Sequence, residues 1–159
     1  MEDLRDKTEE TINLGIERNN KIILVEKLES PRSIKLQSTI GGSMNLYSSA
    51  MGKAILATFS SKSLDSYFKS TKMVPMTPHT ITTPSKLQKD LNSIKELGVS
   101  VDNEENEEEV FCLGASIVRD GQLYGAFSIS APKYRMPQER RSAFVRMLLD
   151  TKHAIESAI

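Results

Sequence analysis

The sequence predicts an α+β fold, an antiparallel sheet with helices packed against it, and three observations carry that prediction. Two strand-like segments near the start are separated by Asn19-Asn20, and two more, at 110–118 and 122–130, are separated by Asp120-Gly121. Between and after these hairpins, apolar residues recur at helical spacing from Ala50 to Leu97 and again beyond Pro137. Hairpins of consecutive strands flanked by helices bury their apolar faces as one curved sheet. The expected arrangement places the first and last helices on one face and the central helices on the other.

In order, Met1–Glu10 is charged and helix-compatible, with Leu4 as its one large apolar residue after Met1. So polar a helix reads as a linker that expects a neighbour. Thr11–Ile16 alternates apolar and polar residues, the period of a half-buried strand, and Ile22–Val25 is a β-branched run. The asparagines between them tolerate the positive φ of a tight turn. A shorter strand is expected at Ser33–Gln37, after the Pro31 break. Ser48 or Ser49 can cap a helix whose face carries Ala50, Ala54, Ile55 and Ala57 or Phe59. Ser60-Ser61 opens a short helix through Leu64, Tyr67 and Phe68, and the proline- and threonine-rich stretch 71–83 is a loop.

Thr83-Pro84 combines a capping hydroxyl with proline at the first helical position. Leu87, Leu91 and Ile94 follow at helical spacing, and Gly98 terminates them. Val110–Val118 and Gln122–Ser130 form the second hairpin. The last helix carries Phe144, Met147 or Leu148, Thr151, Ile155 and Ala158 on one stripe, which needs a sheet to lie on. No repeat or internal boundary divides residues 1–159, which are expected to form one domain.

Composition removes several functions. The 21 basic and 21 acidic residues cancel, so no net field favours a phosphate backbone. No apolar run approaches the ~20 residues of a membrane span, and the polar N-terminus is no signal peptide. The single cysteine cannot form an internal disulfide, which suits a reducing, cytoplasmic setting.

The chemistry-bearing residues are few. Gly52-Lys53 fails as a phosphate loop, because Tyr47 stands where the loop needs its first glycine and Ala54 where it needs Ser or Thr. Lys53 is therefore read as a surface or packing lysine. The run Asp102–Glu109 lacks the glycine that a calcium loop requires at its sixth position, where Glu107 stands, and reads mainly as a solvated acidic loop. One cysteine with two distant histidines, His79 and His153, lacks the spacing of a metal site. Neither histidine is placed beside Cys112 as a base, so Cys112 is either a buried structural cysteine or a pocket-lining thiol. Ser128 and Ser130 share one strand face, which is wet or lines a site. Ser49, Ala50, Met51 and Gly52 open a helix, whose unpaired N–H groups favour an anion.

Four segments then resemble one family. Asn45–Ala57 is similar to the P-L-H-x-T-A-x-G-K-A-x-L-A signature of IclR-type transcription regulators. Asp102-Asn103-Glu104-Glu105 resembles their D-x-E-E segment, and Cys112–Asp120 their C-I-A-A-P-V-x-D strand. Gly125–Pro132 with Arg135 resembles their closing A-x-S-V-S-G-P-x-x-R strand. The chain departs from the pattern at Asn45, Tyr47 and Ser116, positions expected to bear on ligand specificity.

The resemblance implies a GAF-like, non-catalytic effector-binding domain. Its expected effector is a small organic acid held by Ser49, Ala50, Met51, Gly52, Asp102, Cys112, Ser128 and Ser130, with no metal and no cofactor. It implies self-association as a dimer or tetramer. Operator DNA would be bound only through an N-terminal winged helix-turn-helix, which nothing before Ser48 resembles; Met1 is therefore expected to begin a truncated form. Two rival readings remain: a GAF-like enzyme with cysteine-dependent redox chemistry, which a single cysteine argues against, and a dimerisation module with no ligand.

Overall fold

A computed structural model describes residues 1–159 and shows the α+β architecture. Helix α1 (Glu2–Thr8) precedes strands β1 (Thr11–Arg18), β2 (Lys21–Leu28) and β3 (Ser43–Asn45). Helices α2 (Ala50–Leu56), α3 (Ser61–Ser70) and α4 (Pro84–Leu97) follow, then β4 (Ser100–Asn103), β5 (Val110–Arg119), β6 (Gln122–Pro132) and α5 (Gln138–Ala158). One six-stranded sheet runs β3-β2-β1-β6-β5-β4, with every pair antiparallel. The turns match their chemistry: Asn19 and Asn20 have φ of 52° and 61°, and Asp120 and Gly121 have 52° and 76°.

The sheet separates two cores because its strands alternate. Phe127, Ile129 and Ala131 face the same core as Phe111, Leu113 and Ile12, where Leu4 of α1 and Phe144 and Leu148 of α5 pack on them. Each fully buried large side chain there contributes about 1.5–3 kcal/mol. Leu24, Leu46, Met51, Ile55, Leu64, Leu87 and Leu91 form the other core, under α2, α3 and α4. First and last helices thus share one face, as the stripe on α5 requires. That stripe fades along the helix: Phe144 and Leu148 are buried, Ile155 is half-buried and Ala158 is exposed.

Three local expectations are corrected. Ser33–Gln37 is not a strand but part of an irregular strap, residues 29–42, and the third strand lies later at β3. Two of the strap's carbonyls are satisfied by a side chain, Lys27 Nζ donating to Leu36 O and Ser38 O at 3.0 and 2.9 Å, while its end is joined to Leu24 by backbone bonds of Gly41 and Gly42. Strand β4, too short and too polar to stand out in the sequence, pairs with β5 from Ser100↔Gly114 to Asn103↔Phe111. Thr83 occupies the N-cap of α4 without a side-chain capping bond, leaving Pro84 to set the start.

Candidate functional site

The other halves of the alternating strands are small or polar. Ser128 and Ser130 on β6, Cys112 on β5 and Asn13 on β1 point to the α2 side of the sheet, where they line a cavity of about 280 Å³. Register brings them together: Cys112 lies between Asp102 and Ser130, while Ser128 pairs with Asn13 and Gly114. Asn13 Nδ2 donates to Ser130 Oγ at 3.2 Å, and the two serine hydroxyls are 3.1 Å apart. Both serines are buried, so the wet-face alternative is set aside.

The start of α2 forms the second wall, with Ser49, Ala50 and Met51 on the cavity. Ser49 is the N-cap and its Oγ accepts from Gly52 N at 3.2 Å. The Ala50 and Met51 N–H groups make no hydrogen bond within the protein and remain available. Gly52 departs from expectation: its N–H is taken by the cap, and it is a packing residue outside the cavity lining. A Cβ there would lie 2.4 Å from Leu46 Cα and O. Gly114 likewise lets α2 rest on the sheet, since a Cβ would lie 2.7 Å from Ala50 C.

The third wall is the turn after β4, through Asp102, Asn106 and Glu107. Asp102 Oδ1 accepts from Glu105 N at 2.7 Å and Asn106 N at 3.3 Å. Burial pushes the Asp102 carboxyl up to about 7, with the nearby Glu105 charge acting in the same direction. Cys112 is half-buried and lines the cavity, which decides between its two readings. Burial raises its thiol further, with Asp102 adding to the shift, so the nucleophilic thiolate is disfavoured. The strap closes the fourth side with Leu36, Gln37, Ser38 and Thr39, and Ser38 Oγ donates to Asn13 Oδ1 at 3.2 Å. No lysine, arginine or histidine lines the cavity.

Of the surrounding residues, the structure decides between the two readings of Lys53 in favour of the packing one and corrects that of the acidic run. Lys53 is not on the surface but only 1% exposed, and its Nζ donates to Asp90 Oδ2 at 2.7 Å and to both Glu105 oxygens at 2.9 and 2.7 Å. The acidic run is not uniformly solvated: Asp102, Glu104 and Glu105 are buried, whereas Asn103, Glu107, Glu108 and Glu109 are exposed. Lys133 pairs with Glu104 and holds its carboxyl below the ordinary range. The departures at Asn45, Tyr47 and Ser116 lie outside the cavity lining. Tyr47 instead anchors the 71–83 loop, its hydroxyl donating to Val74 O at 2.9 Å and accepting from Val74 N at 3.0 Å.

Comparison with known proteins identifies the family and the fold. Residues 1–157 match the family described as bacterial transcriptional regulator IclR, C-terminal. The chain is 31% identical over 151 residues to the HTH-type transcriptional repressor AllR of Escherichia coli K12, covering 94% of this chain and 56% of that protein. It is 33% identical over 149 residues to the HTH-type transcriptional regulator KdgR of the same strain, covering 93% and 57%. The crystal structure of Thermotoga maritima IclR superposes with a TM-score of 0.93 at 33% identity, covering 98% of this chain and 64% of that one. The chain therefore spans a little over half the length of the curated relatives it matches. Those relatives are transcriptional regulators, and no helix here is long and apolar enough to cross a membrane. With the family matched along almost its whole length and the fold shared throughout, this chain belongs to the IclR family of transcriptional regulators, as its C-terminal domain.

Proposed function

We propose that this domain binds a small carboxylate metabolite in the cavity and so sets the activity of a DNA-binding regulator. The observation that carries the reading is the cavity's lining. A volume of about 280 Å³, at the small end of ligand pockets, suits a metabolite of few atoms. Its polar lining includes small donors, the Ala50 and Met51 N–H groups, Ser128, Ser130, Asn13 and the Cys112 thiol, with the carboxyl groups of Asp102 and Glu107 at the turn. The carboxylate sits against the two free N–H groups and the serines. The far end of the ligand, a carbonyl, hydroxyl or hydrated aldehyde, faces Asp102.

Asp102 has a second role beyond accepting a hydrogen bond. Its Oδ1 is already engaged by two backbone N–H groups, and near neutral pH its raised carboxyl holds a proton it can donate. An anion beside it binds the protonated form better, so affinity falls as pH rises through about 7. Without a basic side chain, binding is modest and reversible, as sensing a metabolite level requires. An IclR homologue from Microbacterium hydrocarbonoxydans, similar in fold, is complexed with 4-hydroxybenzoate, itself a carboxylate.

The operator contact belongs to a domain outside this chain, consistent with the part of each relative that the match leaves uncovered. The domain also self-associates, and sedimentation at increasing concentration should show a dimer or larger species; a monomer throughout would contradict that. The ligand reading is tested by a thermal-shift panel of small carboxylates, including 2-oxo acids, 2-hydroxy acids and 4-hydroxybenzoate. A cognate effector at a hundred times its Kd stabilises the fold by roughly 2.7 kcal/mol. A panel in which no carboxylate raises Tm at millimolar concentration would overturn the proposal.

A further inference from the structure

Behind the cavity wall lies a buried ion cluster that the ligand does not reach. Lys53 on α2 meets Asp90 on α4 and both oxygens of Glu105 in the turn after β4. Neither Lys53 nor Glu105 lines the cavity. Glu105 is nevertheless joined to it, because its own N–H donates to Asp102 Oδ1. Its Oε2 also accepts from Asn103 N at 3.3 Å, and its carbonyl accepts from Thr80 Oγ1 at 2.6 Å. Ser48 Oγ, next to the α2 cap, donates to Asn106 Oδ1 at 2.9 Å. The turn is thus held at its side chain, its carbonyl and its far end.

We propose that Lys53 is the positioning residue of the effector cavity: paired with Asp90, it locks Glu105, and through Glu105 it fixes the turn that aims the Asp102 carboxyl at the ligand. This rests on the reading of the cavity as the effector site and adds a residue outside it.

A buried lysine with two carboxylates is a poor way to gain stability alone, since desolvation offsets most of the Coulombic gain. Its geometric consequence is large, because two charge-assisted bonds hold Glu105 to a lysine that Asp90 holds in turn. The charged and titratable groups around Asp102 are Cys112 from β5, Glu105 and Glu107 from its own turn, and Lys53 from α2, with Asp90 of α4 behind Lys53. Burial is the main reason the Asp102 carboxyl is raised, and the Lys53 charge is the smallest contributor, of opposite sign. Releasing the turn lets water reach Asp102, which lowers its carboxyl. It also loosens the Glu105 and Asn106 N–H groups and the Lys53 charge, whose loss raises it, so amide exchange at the turn carries the test.

The test uses the whole chain and no ligand. Carboxyl-labelled aspartate NMR follows the Asp102 titration while amide exchange follows Glu105 N and Asn106 N, in the parent, Lys53→Met and Lys53→Arg. In Lys53→Met the Asp102 midpoint should leave its position near 7. The two amides should exchange at least tenfold faster relative to the amides of α2, and Lys53→Arg should restore both. Glu105 and Asn106 amides that keep the parent's protection, or turn and α2 amides that lose protection equally, would overturn the proposal. If Lys53→Met fails to fold, Asp90→Asn probes the lock from its partly exposed end, where exchange at Glu105 and Asn106 should rise several-fold; unchanged exchange there would be equally contrary. Because no metabolite is used, a chain in which Lys53 positions Asp102 but no carboxylate binds would separate failure of the effector reading from failure of this one.

Discussion

The sheet-and-helix wall of the cavity and the strap facing it are held by different physics. Ser128, Ser130, Cys112 and Asn13 are fixed by strand register, where a slip of one residue would carry each to the opposite face. Asp102 is fixed by the turn that Lys53 and Glu105 lock. The strap has no regular structure, and its two ends are tied to Glu9 through Ser30 and to Leu24 through Gly41 and Gly42. Its middle is held by Ser38 to Asn13, Lys27 to two carbonyls, and Arg135 Nη1 to Ile34 O at 3.2 Å. A wall made this way presents constant chemistry, whereas a strap made this way can open locally at low cost. The second buried cluster sharpens the contrast. Arg135 binds Glu10 with three hydrogen bonds at the junction of β1 and α5, and the same arginine reaches the strap. The strap is thereby tied to Glu10, between α1 and β1.

The largest expected effect tests the wall through Asp102. A carboxyl raised to about 7 when folded gives stability that is fully present below the unfolded pKa and is lost as pH rises through about 7. Asp102→Asn keeps the Oδ1 acceptor and removes the titration. Between pH 4 and pH 8 the parent should therefore lose up to about 4 kcal/mol relative to the variant. Denaturation curves that stay parallel across that range would break this half of the comparison. Next, Gly52→Ala forces a Cβ into the Leu46 backbone and should cost about 3 kcal/mol in urea unfolding. A loss under about 1 kcal/mol would mean that α2 can shift, and that the wall is softer than its register implies.

Smaller effects separate binding from folding. Ser128→Ala or Ser130→Ala should weaken a bound carboxylate by roughly 0.5–1.5 kcal/mol by calorimetry, and more where the hydrogen bond is charge-assisted. Affinity equal to the parent's would remove the serines from the site. Ser38→Ala should change global stability by less than about 0.5 kcal/mol, since one partly exposed hydrogen bond is lost. It should still raise hydrogen exchange selectively across residues 29–42. Uniform exchange across strap and sheet would show that the two sides open together.

The same contrast decides which parts of the molecule are legible in the sequence. The wall is legible because its signals are local. Alternation from Ala126 to Ala131 sorts serines from large apolar residues, Ser49 caps the helix that follows it, and Asp-Gly fixes the second hairpin. The strap is not: Ser33–Gln37 has strand-like composition but no neighbouring strand, and its backbone groups turn instead to Lys27 and Arg135. Lys53 looks like a surface lysine because its partners lie 37 and 52 positions away, and nothing near it in the chain distinguishes it. Glu104 and Glu105 look solvated for the same reason, their cations being the distant Lys133 and Lys53. The family motif points to Asp102, but its raised carboxyl comes from burial that only the fold creates.

The central claim, that this cavity is where a carboxylate effector binds, is tested most directly by an amide NMR titration. The parent chain is titrated with the small carboxylate giving the largest thermal shift. The account predicts saturable shifts concentrated at Ala50, Met51, Asp102, Cys112, Ser128 and Ser130, with weaker ones along the strap. Shifts gathered elsewhere, such as the hairpin-tip cleft of Ile16, Arg18 and Tyr124, or no saturable shift at all, would contradict it.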